Sequence, residues 1–317
     1  MNILITGGTG FIGSALSREL SSSGHKVIIT SRRKTPPKLE NIEIVRWDIQ
    51  TPLSSEIMSG IDAVINLAGE SLISGRWTKK RKERIMSSRI NTTRLLVESI
   101  KKIPPNPPFP KAGREDSGRP KVLISASAVG YYGPHGDEYV TEDAPPASDF
   151  LAEVCKAWEK EALRAQESGV RVVITRFGVV LESDGGALSK MAIPFKFFLG
   201  GHLGNGKQWF SWVHREDIIG FMKYALENES VFGHFNLTSP QSVTNKEFCS
   251  ALGRALNRPS WFHVPAFMIK LTLGEVGRVL LTGQRVLPEK ALKAGYQFKY
   301  PEINEAMRAI FRKEKQE

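Results

Sequence analysis

Short apolar runs alternate with longer amphipathic stretches through the first 180 residues. Met1 to Thr6 (with Ile3-Leu4-Ile5), Lys26 to Thr30, Ile42 to Trp47, Ala63 to Leu67, Lys121 to Ala126 and Val170 to Thr175 have the length and β-branched content of buried strands. Between them, apolar residues recur at helical spacing. Phe11, Ile12, Ala15, Leu16 and Leu20 follow the first strand. Ile85, Ile90, Leu95 and Leu96 lie in a helix expected from Thr78 to Lys102, and Leu151, Val154, Cys155, Trp158 and Ala162 form a third stripe. Strand and helix alternating in this way predict an α/β fold, a doubly wound parallel sheet with helices on both faces. Beyond Leu181 the texture changes. Gly200-Gly201, Gly204 and Gly206 mark a loop, and Trp209 to His214 is aromatic. Helices are expected over Glu216 to Glu227 and Asn245 to Leu256, a strand over Phe232 to Leu237, an extended link over Pro259 to Pro265, and a mainly helical end from Phe267 to Arg312. The Pro-rich segment 103–120 has no periodicity and reads as a surface insertion, with no repeat elsewhere.

The first strand runs directly into Gly7-Gly8-Thr9-Gly10-Phe11-Ile12-Gly13. Glycines three apart between a strand and a helix suit a tight turn that brings backbone N–H groups close to a pyrophosphate at the helix N-terminus. The spacing, Gly-x-x-Gly-x-x-Gly, departs from the generic dinucleotide fingerprint, so the strand–turn–helix context carries the assignment. A dinucleotide in such a fold meets the ends of successive strands. The second strand ends in Ser31-Arg32-Arg33, and no acid appears before Glu40. An acid there would bond two ribose hydroxyls, whereas an arginine pairs with a 2′-phosphate, so NADP(H) is the expected cofactor. Arg32 and Arg33 serving only as exposed charges is the plainer alternative. Asp48-Ile49 follows the third strand. Asp48 suits the adenine amino group or the cap of a turn, and Ile49 suits the ring face. Leu67, Ala68, Gly69 and Glu70 follow the fourth. Thr6, Thr9, Arg81, Asn91 and Arg176 complete the cofactor-facing set.

Composition narrows the setting. At 41% hydrophobic and 24% charged, the 317 residues make a folded globular chain with no apolar run long enough to span a bilayer. Two cysteines suit a reducing, intracellular compartment, with the cytoplasm favoured, and a strand beginning at Met1 leaves no leader segment expected. The net charge of +11 is compatible with nucleic acid or anionic surfaces, and equally with an anionic cofactor and a polar or anionic small-molecule substrate. The basic run Lys79-Lys80-Arg81-Lys82, with Arg84 and Arg89, lacks interleaved aromatics and reads first as a solvated helical face, second as a wall of an anion site and only third as a nucleic-acid patch. Neither nucleic acid nor membrane is expected as a partner. The histidines and cysteines show no metal-ligand spacing, so no metal is expected.

Taken together, ITGGTGFIG (Ile5 to Gly13), NLAGE (Asn66 to Glu70), Asn91 before a Leu-Leu pair, SASAVGYYG (Ser125 to Gly133) and RFGVVL (Arg176 to Leu181) resemble the extended short-chain dehydrogenase/reductases, the NAD(P)-dependent epimerase/dehydratase superfamily. ESLISGRWTKKRKERIMSSRI, FSWVHREDI and the stretch from Pro265 to Pro301 are similar to its "epimerase family protein" group, whose members carry a C-terminal domain of unknown function. The resemblance implies an NAD(P)-binding Rossmann domain over 1–180, returning near 213–240. A smaller, mainly helical substrate-covering part would span 181–212 and 241–317. Pairing of copies through helices flanking the sheet is a further implication. For chemistry it implies a Tyr-x-x-x-Lys pair and a serine. Ser127 matches the serine and Lys156 the lysine, but Ala152 stands where the tyrosine belongs. The acid then has to come from Tyr131, Tyr132, Tyr139, Glu70, a water held by Ser127, or the substrate itself. The expected activity is an NADP-dependent oxidoreductase or epimerase acting on a hydroxyl or carbonyl compound, of nucleotide-sugar type among others. The alternative is an NADP(H)-binding sensor or interaction protein that has lost the catalytic tyrosine. Arg76 and Trp77 read either as a substrate clamp or as an anchor of the next helix, His214 as structural before catalytic, and Cys155 as core.

Overall fold

A computed structural model describes residues 1–33, 41–72, 75–103 and 118–313. Pro36-Pro37, which on sequence grounds breaks the chain after the second strand, Glu40, and all but the ends of the 103–120 insertion lie outside these residues. In chain order the elements are β1 (Asn2–Thr6), α1 (Gly13–Ser22), β2 (Lys26–Ser31), β3 (Ile42–Arg46), α2 (Ser55–Met58), β4 (Ala63–Asn66), α3 (Lys79–Lys101), β5 (Val122–Ala128), β6 (Tyr139–Val140), α4 (Phe150–Leu163), β7 (Arg171–Phe177) and β8 (Val179–Leu181). There follow α5 (Leu188–Lys196), β9 (Gly201–Leu203), β10 (Trp209–Phe210), β11 (Trp212–His214), α6 (Arg215–Glu227), β12 (Gly233–Leu237), β13 (Val243–Thr244) and α7 (Asn245–Leu256). The chain closes with β14 (Phe262–Val264), α8 (Ala266–Leu273), α9 (Glu275–Leu280), β15 (Arg285–Val286), α10 (Glu289–Lys293) and α11 (Ile303–Lys313).

Seven strands form one parallel sheet in the order β12-β7-β5-β4-β1-β2-β3. The order turns back between β1 and β4, which creates a crevice at the carboxyl ends of the strands, where ligands bind in such sheets. The apolar runs cover both faces. Ile3, Ile5, Val27, Ile29, Ile65 and Ile124 pack with α1 and α6, while Leu4, Ile28, Val64, Leu123, Val172 and Ile174 pack with α3. This is the doubly wound fold that the strand–helix alternation predicts.

A third cluster joins α5, α7 and α11 around Trp212, Phe248 and Met307. This part carries more strand than its sequence announces. The extended link at Pro259–Pro265 contains β14, which pairs in parallel with β9, and β10 pairs antiparallel with β13. Strands of two or three residues are too short to show alternation.

Candidate functional site

The turn after β1 opens the crevice. Gly7 has φ +72, and a Cβ there would lie 2.7 Å from the Leu67 carbonyl oxygen at the end of β4. At Gly13, the first residue of α1, a Cβ would stand 2.2 Å from the Gly7 carbonyl oxygen. Glycine is therefore required both to cross the end of β4 and to seat the helix on its own turn. The Gly10 N–H closes the turn on the Gly7 carbonyl at 2.9 Å.

A cleft of about 480 Å³ extends from this turn over the ends of β1, β2, β3 and β4. It gathers Thr6, Gly7, Thr9, Gly10, Ser31, Arg32, Asp48, Ile49, Leu67, Ala68, Gly69, Glu70 and Asn91, most of the cofactor-facing set expected from the sequence. Asp48 also accepts from the Gln50 N–H, so it caps its turn while facing the cleft. Ile49 holds φ +62, a costly conformation for a β-branched residue. A polar seam supports the floor. Thr6 Oγ1 donates to Asn66 Oδ1 at 2.7 Å, Asn66 Nδ2 donates to Thr93 Oγ1 and Ser125 Oγ, and Trp158 Nε1 donates to Thr93 Oγ1.

Sequence reasoning missed part of the wall. Arg84, Ser87, Ser88 and Thr92 of α3 line the cleft beside Asn91, with Thr30 and Trp47 across from them. Counting back from Asn91 by helical steps would have found Ser88, Ser87 and Arg84. Arg84 is thus not only part of a solvated basic face.

Seven of the expected site residues, the buried Ser127 among them, do not line the cleft. The Phe11 ring lies against Gly185 and Gly186, under Arg215, Ile12 caps α1, and Gly13 is buried in its first turn. Arg81 is buried, with Nη1 2.6 Å from Glu70 Oε1 and Nη2 on the Ser71 carbonyl. Lys156 Nζ pairs with Glu153 on the same helix. Arg176 is 2% exposed and forms a fork with Glu159, Nε to Oε1 at 2.9 Å and Nη2 to Oε2 at 2.8 Å. Both partners are satisfied inside the protein, so Arg176 does not face the cleft.

The Glu159–Arg176 pair anchors a larger network. Ser127 Oγ, also buried, donates to Glu159 Oε1 at 2.6 Å. Arg176 Nη1 donates to the Tyr132 hydroxyl, which donates to Asn236 Oδ1 at 2.7 Å. Burial pushes the Tyr132 phenol up to about 12. Burial also works against the Arg176 charge, but the hydrogen bonds and charge of Glu159 more than offset it and its pKa is raised. The Arg176 guanidinium lies over the Tyr131 ring, with Cζ 3.6 Å from the ring centre. The Ala152 side chain is fully buried.

Arg76, Trp77, His214 and Cys155 are all held in structural roles. Arg76 donates to the Leu271 and Thr272 carbonyls, and Trp77 packs edge-on against Phe150, so both anchor neighbouring segments. His214 Nδ1 accepts from the Glu216 N–H at the start of α6, and its ring lies on Tyr300. The Cys155 thiol is buried in the core and pushed up to about 12 by burial. Among the described residues no group of three or more histidine, cysteine or acidic side chains is placed to hold a metal, and no helix is long and apolar enough to cross a membrane.

Residues 3–238 match the model of the NAD dependent epimerase/dehydratase family. The chain belongs to this family. Residues 264–310 match a further domain of unknown function, DUF1731. The Bacillus subtilis epimerase family protein YfhF is 40% identical over 97% of each chain. The chloroplastic SDR39U1 homolog of Arabidopsis thaliana is 42% identical over 98% of this chain and 86% of its own length. The crystal structure of human epimerase family protein SDR39U1 with NADPH superposes with a TM-score of 0.85 at 35% identity, covering 98% of this chain and 99% of that one. The UDP-glucuronic acid 4-epimerase of Bacillus cereus, solved with NAD, shares the fold at a TM-score of 0.76 and 20% identity.

Proposed function

We propose that the protein is an NADP(H)-dependent oxidoreductase or epimerase acting on a small hydroxyl or carbonyl compound. The observation that carries this reading is the cleft itself. Its floor is a glycine turn that side chains would fill, and its β2 end presents Ser31 and Arg32, while Asp48 of the adjoining β3 turn is held by the Gln50 N–H. The SDR39U1 structure with NADPH supports the same cofactor. When bound, this cofactor supplies or accepts a hydride. Backbone N–H groups of the glycine turn would hold the pyrophosphate, Arg32 and Ser31 the 2′-phosphate, and Arg84 and Asn91 the far wall.

Ser127 is the group proposed to meet the reacting oxygen. Its proton is committed to Glu159, so a substrate reaching this buried hydroxyl would meet lone pairs rather than a donor. A substrate hydroxyl matches that polarity, and a carbonyl matches it only if Ser127 turns away from Glu159. Tyr132 is a poor substitute for the missing acid, since its proton is bound to Asn236 and its phenol is buried. Lys156 would reach cofactor ribose hydroxyls only by leaving Glu153.

The test is transfer of deuterium from 4-deuterated NADPH into a pool of carbonyl metabolites, and from deuterated alcohols into NADP⁺. Label transfer that disappears in Ser127→Ala supports the enzyme. A second reading, an NADP(H)-dependent sensor, is favoured by the buried Ala152 in place of an acid. It predicts tight NADPH binding with no label transfer in either direction.

A further inference from the structure

The surface formed by the end of α5, β14 and α8 is apolar in a way that its own fold does not use. Helix α8 reads AFMIKLTL, yet of its side chains only Ile269 is buried. A helix that is apolar on every side normally lies inside a protein or a bilayer. Phe267 and Leu271 are 69% and 75% exposed, and Phe197 and Trp261 are 70% and 77% exposed. These side chains lie on connected segments. The Trp261 indole N–H donates to the Phe198 carbonyl at 3.0 Å, the Phe262 N–H donates to the Gly200 carbonyl, and β14 leads through Pro265 into α8.

Within the two segments that form this surface the charge has one sign. From Gly185 to Arg215 and from Phe248 to Gly274 the chain contains no Asp or Glu, and every charged residue is Lys or Arg. Beside Trp261 a hollow of about 460 Å³ is lined by Ser250, Arg254, Asn257, Arg258 and Ser260. Arg254 uses one N–H group on Asn304 and Arg258 one on the Asn257 carbonyl, so each guanidinium keeps further donors. Two arginines with two hydroxyls make this hollow a polar, cationic site next to exposed aromatic rings.

We propose that this face docks on an anionic phospholipid surface, with Phe197, Trp261, Phe267 and Leu271 entering the headgroup–acyl boundary and Arg254 and Arg258 taking lipid phosphates. Exposed aromatics with basic flanks suit the boundary between headgroups and acyl chains. A second copy is a poor occupant, since it would bring like charge against like charge. The sequence led us to expect no membrane partner, because it contains no spanning segment. Docking on one leaflet needs no span.

The experiment is co-sedimentation of the full chain with vesicles of phosphatidylcholine alone or with about a third phosphatidylglycerol, at low and high salt. Binding is expected only to the anionic vesicles, weakening with salt, with a blue shift of tryptophan emission. Phe197→Ser with Phe267→Ser should weaken partitioning by at least tenfold, on the order of one buried aromatic side chain. Arg254→Glu with Arg258→Glu should abolish it. NADPH titration of each variant serves as the control for folding, because none of these residues lines the cofactor cleft. Absence of binding to anionic vesicles would overturn the proposal. So would binding that both double variants retain, or self-association lost in the phenylalanine variant without any vesicle binding.

Discussion

Arg32→Ala offers the sharpest test of which dinucleotide the cleft is built for. Ser31 is buried at the end of β2, and its hydroxyl already accepts from the Arg33 N–H at 3.2 Å. Its own proton is therefore free to donate outward. Arg32 follows, exposed to solvent, and lines the cleft. A charge-assisted hydrogen bond to phosphate contributes about 1.5–3 kcal/mol, and solvent exposure places Arg32 at the low end. Since about 1.4 kcal/mol is tenfold in affinity, Arg32→Ala should weaken NADPH binding roughly tenfold. NADH lacks the 2′-phosphate and should change by less than about twofold. Fluorescence titration of both nucleotides reads the two constants directly. Arg33→Ala is the control, because Arg33 does not line the cleft and should cost less than Arg32. Raising the salt should narrow the preference for NADPH, as exposed charges are screened. Equal loss for NADPH and NADH, or a wild-type protein that prefers NADH, would refute the assignment of Arg32 to the 2′-phosphate.

Three further perturbations follow from the geometry. Gly13→Ala places a Cβ 2.2 Å from the Gly7 carbonyl oxygen, so the turn has to move; overpacking of about 1–3 kcal/mol should appear in thermal melts, with NADPH affinity lost alongside. Glu159→Ala strands the buried Arg176 guanidinium and should cost about 3–5 kcal/mol in denaturant melts, whereas Glu159→Met with Arg176→Leu should recover most of it; an additive loss in the double variant would contradict this. Burial raises the Asp217 carboxyl from 3.8 to about 6, against the backbone N–H bonds from Lys299 and Tyr300. Between about pH 4 and 6 the folded chain keeps a proton there that the unfolded chain has released, so this group's contribution to stability falls as pH rises through that window. Relative to Asp217→Asn, the wild type should lose roughly 2–3 kcal/mol from pH 4 to pH 6 and change little above it, and a parallel pH profile for the two proteins would show that Asp217 titrates normally.

The parts of the cleft that were legible in the sequence are those set by local rules. The glycine turn, the strand ends and the small residues after β4 follow from a strand meeting a helix, and the pattern of apolar runs foretold the sheet. What stayed hidden depends on partners distant in sequence. Arg176 sits at the end of β7, where a cofactor ligand would be expected, but its partner Glu159 lies seventeen residues earlier on α4. In the sequence Glu159 looks like any helical surface acid. Arg84 was hidden for the opposite reason. A run of lysines and arginines reads first as solvated and only second as an anion-site wall until the sheet shows which row of α3 turns inward. The two- and three-residue strands β9, β10, β13 and β14 carry too few positions for a period to show.

The Ser127–Glu159–Arg176 arrangement sharpens what an active enzyme of this kind would have to do. In the family pattern, a tyrosine supplies the proton and a lysine lowers its pKa. Here the position of that tyrosine is Ala152, buried, and Lys156 is paired with Glu153. The charge nearest Ser127 is the Glu159 carboxylate, held by two bonds from Arg176. On the proposed function, a proton arriving at Ser127 from a substrate hydroxyl has a hydrogen-bonded path to a carboxylate, while a carbonyl substrate finds no donor in place. Oxidation of an alcohol therefore fits the static arrangement better than reduction of a ketone. Glu159→Gln tests this without stranding Arg176 entirely, because the amide oxygen still accepts from one guanidinium N–H. Loss of alcohol oxidation with NADPH affinity unchanged would place the carboxylate in the proton path. Retained oxidation would move the proton to the substrate's own groups or to solvent.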